Sequence, residues 1–370
     1  MTRFERLELS PAFDAHVHLR DGAMTETVIP TIKQGGVDTV YVMPNLIPPI
    51  TTVAAAIAYR DRLQALAPDV KFLMTLYLDK SITPATIAEA ARAGIAGVKV
   101  YPAGVTTNSE AGVLDYESYY PVFEAMQEHD MVLNLHGEVP STPARDVAAA
   151  GDGDVVTVLN AEAKFLPTLR KLHADFPRLR IVLEHCTTKD ALDAVRACGP
   201  TVVGSITAHH LYINTEDVLG DPFNFCKPVA KMPTDRVALL QAIADRSGKF
   251  FFGSDSAPHP IEAKRGAKKA AAGCFTQGWA TQLVVGAVEE AIENGWLPDD
   301  ISAETLDEFL SGRGRRFYKI PETAKAGKGQ KIVLEKKGEK IPEVLRSKDG
   351  SIEVVPFRRG EEILSLSWKS

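Results

Sequence analysis

The sequence predicts an α/β fold, the (β/α)8 TIM barrel, in which eight parallel strands alternate with helices around a closed core. Short apolar runs rich in Val, Ile, Leu or Phe alternate with longer helical patterns, and eight such runs occur. Runs of this composition are typical of strands buried on both faces. A length of 370 residues is long for one ordinary domain but normal for one barrel of this kind. The pattern leaves a doubly wound, open sheet as the alternative.

The predicted elements follow one another along the chain with capping residues between them, for example Thr83 before Pro84. The strands are Ala12–Val17, Val37–Met43, Val70–Leu76, Ile95–Tyr101, Met131–Leu135, Arg180–Leu183, Thr201–Ile206 and Lys249–Phe252. The helices between them include Thr52–Ala67, Thr83–Ala93, Tyr116–Glu128, Ala161–Asp175, Lys189–Cys198 and Thr234–Arg246.

The C-terminal part of the sequence has a different character. From about Ile320 the helical rhythm stops, and Lys, Gly and Glu dominate around two strand-like pieces, Lys331–Leu334 and Ile352–Pro356. We therefore expect the barrel to cover residues 1–320 and a small C-terminal β appendage, packed on the barrel, to cover residues 321–370.

Composition and charge narrow the possible functions. Hydrophobic residues make up 45% of the chain, and the net charge of −6 argues against nucleic acid or an anionic membrane as the main partner. The segment MTRFERLELS lacks the apolar stretch of a signal peptide, and no apolar run of about 18 residues is present. The four cysteines show no CxxC spacing, which is typical of reduced thiols. We expect a soluble, cytoplasmic protein that acts on a small molecule.

Polar residues lie at the ends of five of the predicted strands, on the face where the active sites of such barrels form. His16 and His18 close the first strand and, being two residues apart, point to the same side of it. The other four are Lys99 in GVKVYP, His136 in LNLHGE, His185 in LEHC and Asp255 in GSDSAPH. A lone histidine in such a position is usually structural, but a lysine inside an apolar strand is unusual because a buried, unpaired ammonium is unfavourable.

Together these residues predict a site for two metal ions. Four neutral imidazoles and a carboxylate suit Zn²⁺ or a similar ion, and six groups are more than one tetrahedral ion needs. Two ions require a bridging ligand, which a lysine carboxylated on its amine provides through two oxygens. Lys99 is the lysine on this rim placed to do so.

Several motifs of the chain resemble the amidohydrolase superfamily, and within it the dihydroorotases, most closely the compact monofunctional type of fungi. They are DAHVHLRDG, YVMPNL, GVKVYPAGVTTNS, LNLHGE, LEHCTTKDA, FCKPVAK, GSDSAPH and AGCF, in the order of that family and spanning residues 14 to 275. The resemblance implies zinc-dependent interconversion of N-carbamoyl-L-aspartate and L-dihydroorotate, a step of pyrimidine synthesis. It also suggests a homodimer.

The resemblance assigns a role to each metal-site residue. It implies that His16 and His18 bind the more buried zinc together with Asp255, which also acts as general base. It implies that His136 and His185 hold the second zinc. Carboxylated Lys99 and a hydroxide would bridge the two ions.

The resemblance also assigns the residues that bind the substrate. Arg20, Asn45 and His259 would hold its α-carboxylate, and Arg suits bidentate recognition of that group. Thr106 and Thr107 would belong to a mobile lid that closes over the substrate. Backbone groups of Ala257, Ala272 and Gly273 would complete the binding site.

Some features leave alternatives open. Lys227 in FCKPVAK and the pair His209 and His210 in TAHHL follow the fungal pattern, and we include Lys227 among the substrate-binding candidates, although each of the three is either a substrate contact or structural. A related cyclic-amide hydrolase, such as a dihydropyrimidinase, hydantoinase or allantoinase, is the alternative enzyme, and it would not need the carboxylate contact of Arg20. A scaffold protein that has lost its metal is disfavoured, since every expected ligand is present.

Overall fold

The computed structural model describes residues 4–151, 154–266, 269–320 and 329–369. A short strand, β1 (Arg6–Leu9), precedes a sheet of eight parallel strands that pair in chain order. The eight are β2 (Ala12–Val17), β3 (Val37–Val42), β4 (Lys71–Tyr77), β5 (Gly97–Val100), β6 (Val132–His136), β7 (Arg180–Glu184), β8 (Val202–Ile206) and β9 (Phe250–Phe252). Each matches one predicted strand to within a few residues at either end.

The sheet returns to its first strand beyond β9. Val17 forms a parallel bridge with Ser256. The backbone N–H of Asp255 donates to the carbonyl of His16 at 2.9 Å, and the N–H of His18 donates to the carbonyl of Ser256 at 3.0 Å. Strands that pair in consecutive order and return in this way form a barrel, so the predicted fold class is confirmed and the open doubly wound sheet is excluded.

Helices pack around the barrel and connect its strands. The six predicted helices are present as α3 (Val53–Leu66), α4 (Pro84–Arg92), α5 (Tyr120–Glu128), α6 (Ala161–Asp175), α7 (Lys189–Ala197) and α9 (Pro233–Ile243). The others are α1 (Gly22–Val28), α2 (Thr31–Gln34), α8 (Thr215–Gly220), α10 (Ile261–Lys264), α11 (Ala280–Glu293), α12 (Ala303–Asp307) and α13 (Arg313–Phe317), with single turns at Glu117–Tyr119, His209–Leu211, Pro222–Asn224 and Gln277–Trp279 and a π-turn at Glu308–Gly312.

Side-chain caps explain where several of these helices begin. The hydroxyl of Thr52 accepts a hydrogen bond from the N–H of Ala55 at 3.2 Å, and Thr188 does the same for Ala191 at 3.0 Å. Such caps satisfy backbone donors that have no partner inside the helix. Helix α11 is not among the helices named from the sequence, and nine of its residues are buried.

The N-terminal end of the barrel is closed by α13. Arg315 inserts beneath the strands and makes a buried ion pair with Asp38, and it also donates to the hydroxyl of Thr39 at 3.1 Å. The ring of Tyr318, just after α13, packs inside the barrel with its centroid 4.7 Å from that of Tyr41. The closed lower end leaves the opposite end, where the strands terminate, as the accessible face.

A small antiparallel sheet lies beside the barrel. It contains β1, β10 (Lys331–Lys340) and β13 (Glu362–Lys369), and a separate two-stranded ribbon joins β11 (Leu345–Arg346) to β12 (Glu353–Val354). The indole N–H of Trp368 donates to the carbonyl of Lys33 at 2.9 Å, which attaches this sheet to the barrel. The predicted β appendage is therefore present.

The boundary predicted at residue 320 stays a prediction. Residues 321–328, where the predicted appendage begins, lie outside the described part of the chain. Strand β1 pairs with β10 from Arg6↔Glu335 to Leu9↔Ile332, so the small sheet also takes one strand from the segment assigned to the barrel. Within the described ranges, no helix combines the length and the apolar character that crossing a membrane requires.

Candidate active site

The six residues predicted to bind metal converge at the open end of the barrel. His16 lies in β2 with His18 just beyond it, Lys99 lies in β5, His136 ends β6, and His185 and Asp255 follow β7 and β9. All six are buried. The ring centroid of His16 lies 5.2 Å from those of both His18 and His185, and the rings of His136 and His185 are 4.7 Å apart. The structure thus brings the whole predicted set together.

Three of these side chains form a set that fits one metal ion. Nε2 of His16 lies 3.3 Å from Nε2 of His18, and these two nitrogens lie 3.2 and 3.1 Å from Oδ1 of Asp255. Ligands about 2.0–2.1 Å from a tetrahedral zinc lie about 3.3 Å from one another. The spacing of the three ligand atoms therefore matches one face of a zinc tetrahedron.

Neighbouring groups orient the rings of His16 and His18. Nδ1 of His18 lies 2.8 Å from Oδ1 of Asn45, and Nδ1 of His16 lies 3.1 Å from Oε2 of Glu184. At His18 this acceptor favours the proton on Nδ1, so Nε2 carries the lone pair that binds a metal. Nδ1 of His16 is close to Glu184 but makes no hydrogen bond with the described residues. Burial lowers the pKa of His18 to about 4 and also lowers that of His16, so both rings are neutral near pH 7.

His136 and His185 offer nitrogens to a second ion. Nε2 of His136 lies 2.7 Å from a carboxylate oxygen of Glu138, which leaves Nδ1 as the nitrogen available to a metal. Nδ1 of His185 is buried without a hydrogen-bond partner among the described residues. Ligand atoms of His16, Glu184 and His185 all lie within 4.8 Å of one another. A buried imidazole nitrogen without a partner is unfavourable by itself, and a metal ion would remove that penalty.

Lys99 lies between the two groups of ligands and is fully buried. Its ammonium contacts Glu184. Burial lowers the pKa of Lys99 to about 7, although the charge of Asp255 opposes that shift. A large fraction of the amine is then neutral at physiological pH, and the neutral amine is the form that reacts with CO₂. The environment of Lys99 therefore suits carboxylation.

Three buried acids that the sequence analysis did not select support these ligands. Glu184 and Glu138 contact the rings of His16 and His136, as described above. Asp14 accepts a hydrogen bond from the N–H of Ser254 at 2.7 Å, which fixes the turn that carries Asp255. In the sequence, such residues can be recognised as acids that lie within a buried strand or next to a predicted histidine ligand.

Backbone strain is concentrated at this rim. Arg20, His185 and Asp255 all have positive φ angles, of 61°, 43° and 46°. Residues other than glycine rarely adopt this conformation, and where they do, it is often at a functional site. In each case the residue with the positive φ angle follows the end of a barrel strand. The conformation turns its side chain into the mouth of the barrel.

A small pocket of about 20 Å³ opens beside the metal-ligand set. Its walls include two of the metal-site residues and eight of the predicted substrate-binding residues. They are His18, Asp255, Arg20, Asn45, Thr106, Thr107, Lys227, Ala257, Ala272 and Gly273. The structure therefore brings the predicted substrate-binding residues to one place, next to the predicted ions.

His259 lies at the edge of this cavity and contacts Arg20. Nη2 of Arg20 is 3.1 Å from Nε2 of His259. That Nε2 is also 2.9 Å from the carbonyl oxygen of Ala272. Burial, followed by the charge of Arg20, lowers the pKa of His259 to about 2, so its ring is neutral. The single N–H of the neutral ring faces the carbonyl of Ala272, so the polar hydrogens free to meet an anion are those of the Arg20 guanidinium.

The predicted lid rests on Asn45. The side-chain amide of Asn45 donates to the carbonyl of Thr107 at 3.1 Å, and the amide of Asn108 donates to the carbonyl of Asn45 at 3.0 Å. Asn45 therefore connects the loop over the cavity with His18 below it.

The three residues left open by the sequence have different surroundings. Lys227 lines the cavity. His210 is buried, and its ring nitrogens lie 2.7 Å from the hydroxyl of Thr207 and 3.0 Å from the carbonyl of Pro228, so it supports the segment that carries Lys227. His209 is also buried and lies beside two cysteines.

The fold and site define a metal-dependent hydrolase of the amidohydrolase superfamily. The family described as "Amidohydrolase" matches residues 13–198. Among curated relatives, a probable dihydroorotase of Schizosaccharomyces pombe is 48% identical over 98% of this chain and 99% of its own length. The dihydroorotase of Saccharomyces cerevisiae is 45% identical over 98% of both chains. The chain belongs to the dihydroorotases, a family of enzymes within that superfamily.

Solved structures agree with this assignment. The crystal structure of dihydroorotase in complex with 5-fluoroorotic acid from Saccharomyces cerevisiae aligns with a TM-score of 0.89 and 44% identity, covering 99% of this chain and 98% of that chain. An L-hydantoinase (dihydropyrimidinase) from Arthrobacter aurescens aligns with a TM-score of 0.77 but only 18% identity, a likeness that shows the shared fold alone.

Proposed function

We propose that this protein interconverts L-dihydroorotate and N-carbamoyl-L-aspartate with two zinc ions bound at the barrel mouth. The observation that carries the proposal is the juxtaposition, at one pocket, of the ligand set around Asp255 and the guanidinium of Arg20, with the neutral ring of His259 beside it. The substrate has a cyclic amide to be opened and a carboxylate to be held, and the cavity offers groups for both. The related yeast structure was solved with 5-fluoroorotic acid, a ring that also carries a carboxylate.

The residues that would hold the ions are those described above. His16, His18 and Asp255 would bind the first, His136 and His185 the second, and Lys99, carboxylated on its amine, would bridge them. When bound, such ions lower the pKa of water toward about 7 and polarise the amide carbonyl.

Asp255 is the proposed general base. Burial by itself raises the pKa of this carboxyl, but the neighbouring rings of His16 and His18 outweigh that effect and hold the pKa well below its usual value. The carboxylate is therefore ionised near pH 7. It takes a proton from the attacking water and delivers it to the ring nitrogen as the amide bond breaks. In the direction of synthesis, Asp255 removes that nitrogen's proton while the ring closes and water leaves.

Arg20, His259 and Asn45 are proposed to hold the carboxylate of the substrate. Arg20 already uses its Nε–H on the carbonyl of Pro258 at 3.0 Å, which leaves the terminal nitrogens for the ligand. The side chain of Asn45 has two amide hydrogens and uses one on Thr107. Holding the acid at this end places the ring amide toward Asp255, and the loop with Thr106 and Thr107 covers the substrate and excludes water.

An activity assay tests the proposal. Purified protein is given L-dihydroorotate, and hydrolysis is followed by the loss of ultraviolet absorbance, with and without a chelator. Hydantoin and dihydrouracil, which lack the carboxylate, serve as comparison substrates. We expect chelator-sensitive turnover of dihydroorotate and little turnover of the other two. Faster turnover of dihydrouracil or hydantoin would instead support the alternative cyclic-amide hydrolase.

A further inference from the structure

A second cluster of metal-binding side chains lies outside the site described above. Ligand atoms of His209, Cys226 and Cys274 all lie within 4.8 Å of one another, and all three side chains are buried. His209 follows β8, Cys226 directly precedes Lys227, and Cys274 directly follows Gly273. The cluster therefore lies behind the wall of the substrate cavity.

The imidazole of His209 packs against the rings of His210 and Phe357 at centroid distances of 4.3 and 6.3 Å, but its nitrogens lack partners. Both of its ring nitrogens are buried and make no hydrogen bond with the described residues. Its neighbour His210, by contrast, has a partner on each ring nitrogen. A fully buried imidazole without partners is unfavourable, and a ligand that accepts its lone pair would remove the penalty.

We propose that His209, Cys226 and Cys274 form a binding site for a thiophilic metal ion of the zinc class. Two thiolates and one imidazole are a ligand set that such ions prefer, and three protein ligands suffice where a water takes the fourth position. Zinc–sulfur bonds of about 2.3 Å place the ligands of a tetrahedral ion about 3.7 Å apart. Side-chain movements of about 1 Å would bring the cluster to that spacing.

A buried lysine lies beside the two cysteines. The ammonium of Lys264 donates to the carbonyls of Phe225 and Gly273, both at 2.8 Å, and so lies beside the two residues that adjoin the cysteines. The contact with Cys274, together with burial, raises the pKa of the Cys226 thiol. Cys226 is therefore a thiol before the ion binds, and metal binding would displace its proton.

The ion would connect two segments of the cavity wall. The backbone N–H of Gly273 donates to the carbonyl of Phe225 at 2.9 Å, so the segments that carry Cys226 and Cys274 are already neighbours. His209 would join a third segment to them, the turn that follows β8. A metal at this point ties three loops of the active face together without contacting the substrate.

X-ray absorption of the zinc-loaded, wild-type protein tests the proposal without requiring any variant to fold. The proposed ligands at the barrel mouth are nitrogen and oxygen, so a sulfur shell at about 2.3 Å around zinc reports the cysteine site. We expect that shell. Its absence in protein that was kept reduced and loaded with excess zinc would overturn the proposal.

Cadmium titration of the metal-free protein identifies the ligands. We expect a thiolate-to-cadmium charge-transfer band in the wild type, and we expect Cys226→Ser, Cys274→Ser and His209→Ala to abolish or strongly weaken it. Cys198→Ser is the matched control, since Cys198 ends α7 away from the cluster, and it should leave the band unchanged. A band of wild-type intensity in folded Cys226→Ser or Cys274→Ser protein would contradict the assignment.

Discussion

Asn45 holds the ring of His18: its Oδ1 lies 2.8 Å from Nδ1 of that histidine, while its amide nitrogen donates to the lid at Thr107. One side chain thus orients a proposed metal ligand and supports the loop that covers the substrate. Partners of this kind usually contribute about 10-fold to 100-fold to metal affinity.

Asn45→Ala should therefore weaken both metal binding and substrate binding. We expect about 10-fold to 100-fold weaker zinc affinity, measured by competition with a chromogenic chelator, together with a higher KM. Asn108→Ala is the matched control, because the side chain of Asn108 donates to the backbone carbonyl of Asn45 and not to His18. It should raise KM and leave zinc affinity unchanged. Equal zinc affinities for Asn45→Ala and wild type would show that the contact with His18 has no role in metal binding.

Asp255→Asn should remove the general base while retaining an oxygen ligand. We expect kcat to fall by roughly 100-fold to 10,000-fold in protein that is fully loaded with zinc. Because the pKa of Asp255 is held well below its usual value, the wild-type carboxylate stays ionised as the pH falls through the near-neutral range. A wild-type kcat in zinc-loaded Asp255→Asn protein would rule out the proposed role.

Arg20→Ala tests the substrate class. Each hydrogen bond to a charged group contributes about 1.5–3 kcal/mol, so losing two of them should lower kcat/KM for dihydroorotate by roughly 100-fold to 10,000-fold. Arg20→Lys keeps the charge but not the paired donors and should recover only part of the loss. Any slow turnover of dihydrouracil, which has no carboxylate, should not change. If Arg20→Ala left dihydroorotate turnover intact, the proposed carboxylate contact would be wrong.

Carboxylation of Lys99 should depend on pH in a defined direction. Burial lowers the pKa of Lys99 to about 7, so the neutral amine that reacts with CO₂ becomes more abundant as the pH rises through that value. Metal-free protein supplied with zinc and ¹³C-labelled CO₂, at the same dissolved CO₂ concentration at each pH, should therefore gain a carbamate signal in NMR spectra faster at about pH 8 than at about pH 6. Lys99→Ala should give no such signal. A wild-type protein with full activity and no carbamate signal would require another bridging group.

Arg315 should matter for stability rather than for chemistry. Its buried ion pair with Asp38 closes the end of the barrel opposite the active site. Arg315→Met leaves Asp38 buried without its partner, which should lower the free energy of unfolding by about 3–5 kcal/mol. Denaturant unfolding measures the change. Arg346→Ala, which removes an exposed pair with Glu353, should change stability by less than about 1 kcal/mol. Similar losses for the two variants would contradict this explanation.

Much of the fold could be predicted because barrel strands are buried on both faces and therefore appear as continuous apolar runs. All eight strands were predicted from this pattern. The pattern failed where a strand is not a continuous buried run: buried and exposed residues alternate in β1, and only one of the eight residues of β13 is buried. Strand β1 is separated from its partner β10 by more than 300 residues, and a pairing of that range leaves no local signal.

The sequence by itself determined which residues reach the active face, because strand periodicity and the barrel topology place the end of each strand there. It thereby predicted His16, His18, Lys99, His136, His185 and Asp255 as one group. Only the tertiary structure decided their supporting partners. Glu184 lies next to both His16 and Lys99, Asn45 joins His18 to the lid, and His209 meets Cys226 and Cys274, in each case across separate connections of the chain. Such contacts depend on how side chains from different loops pack, and spacing along one chain does not encode that.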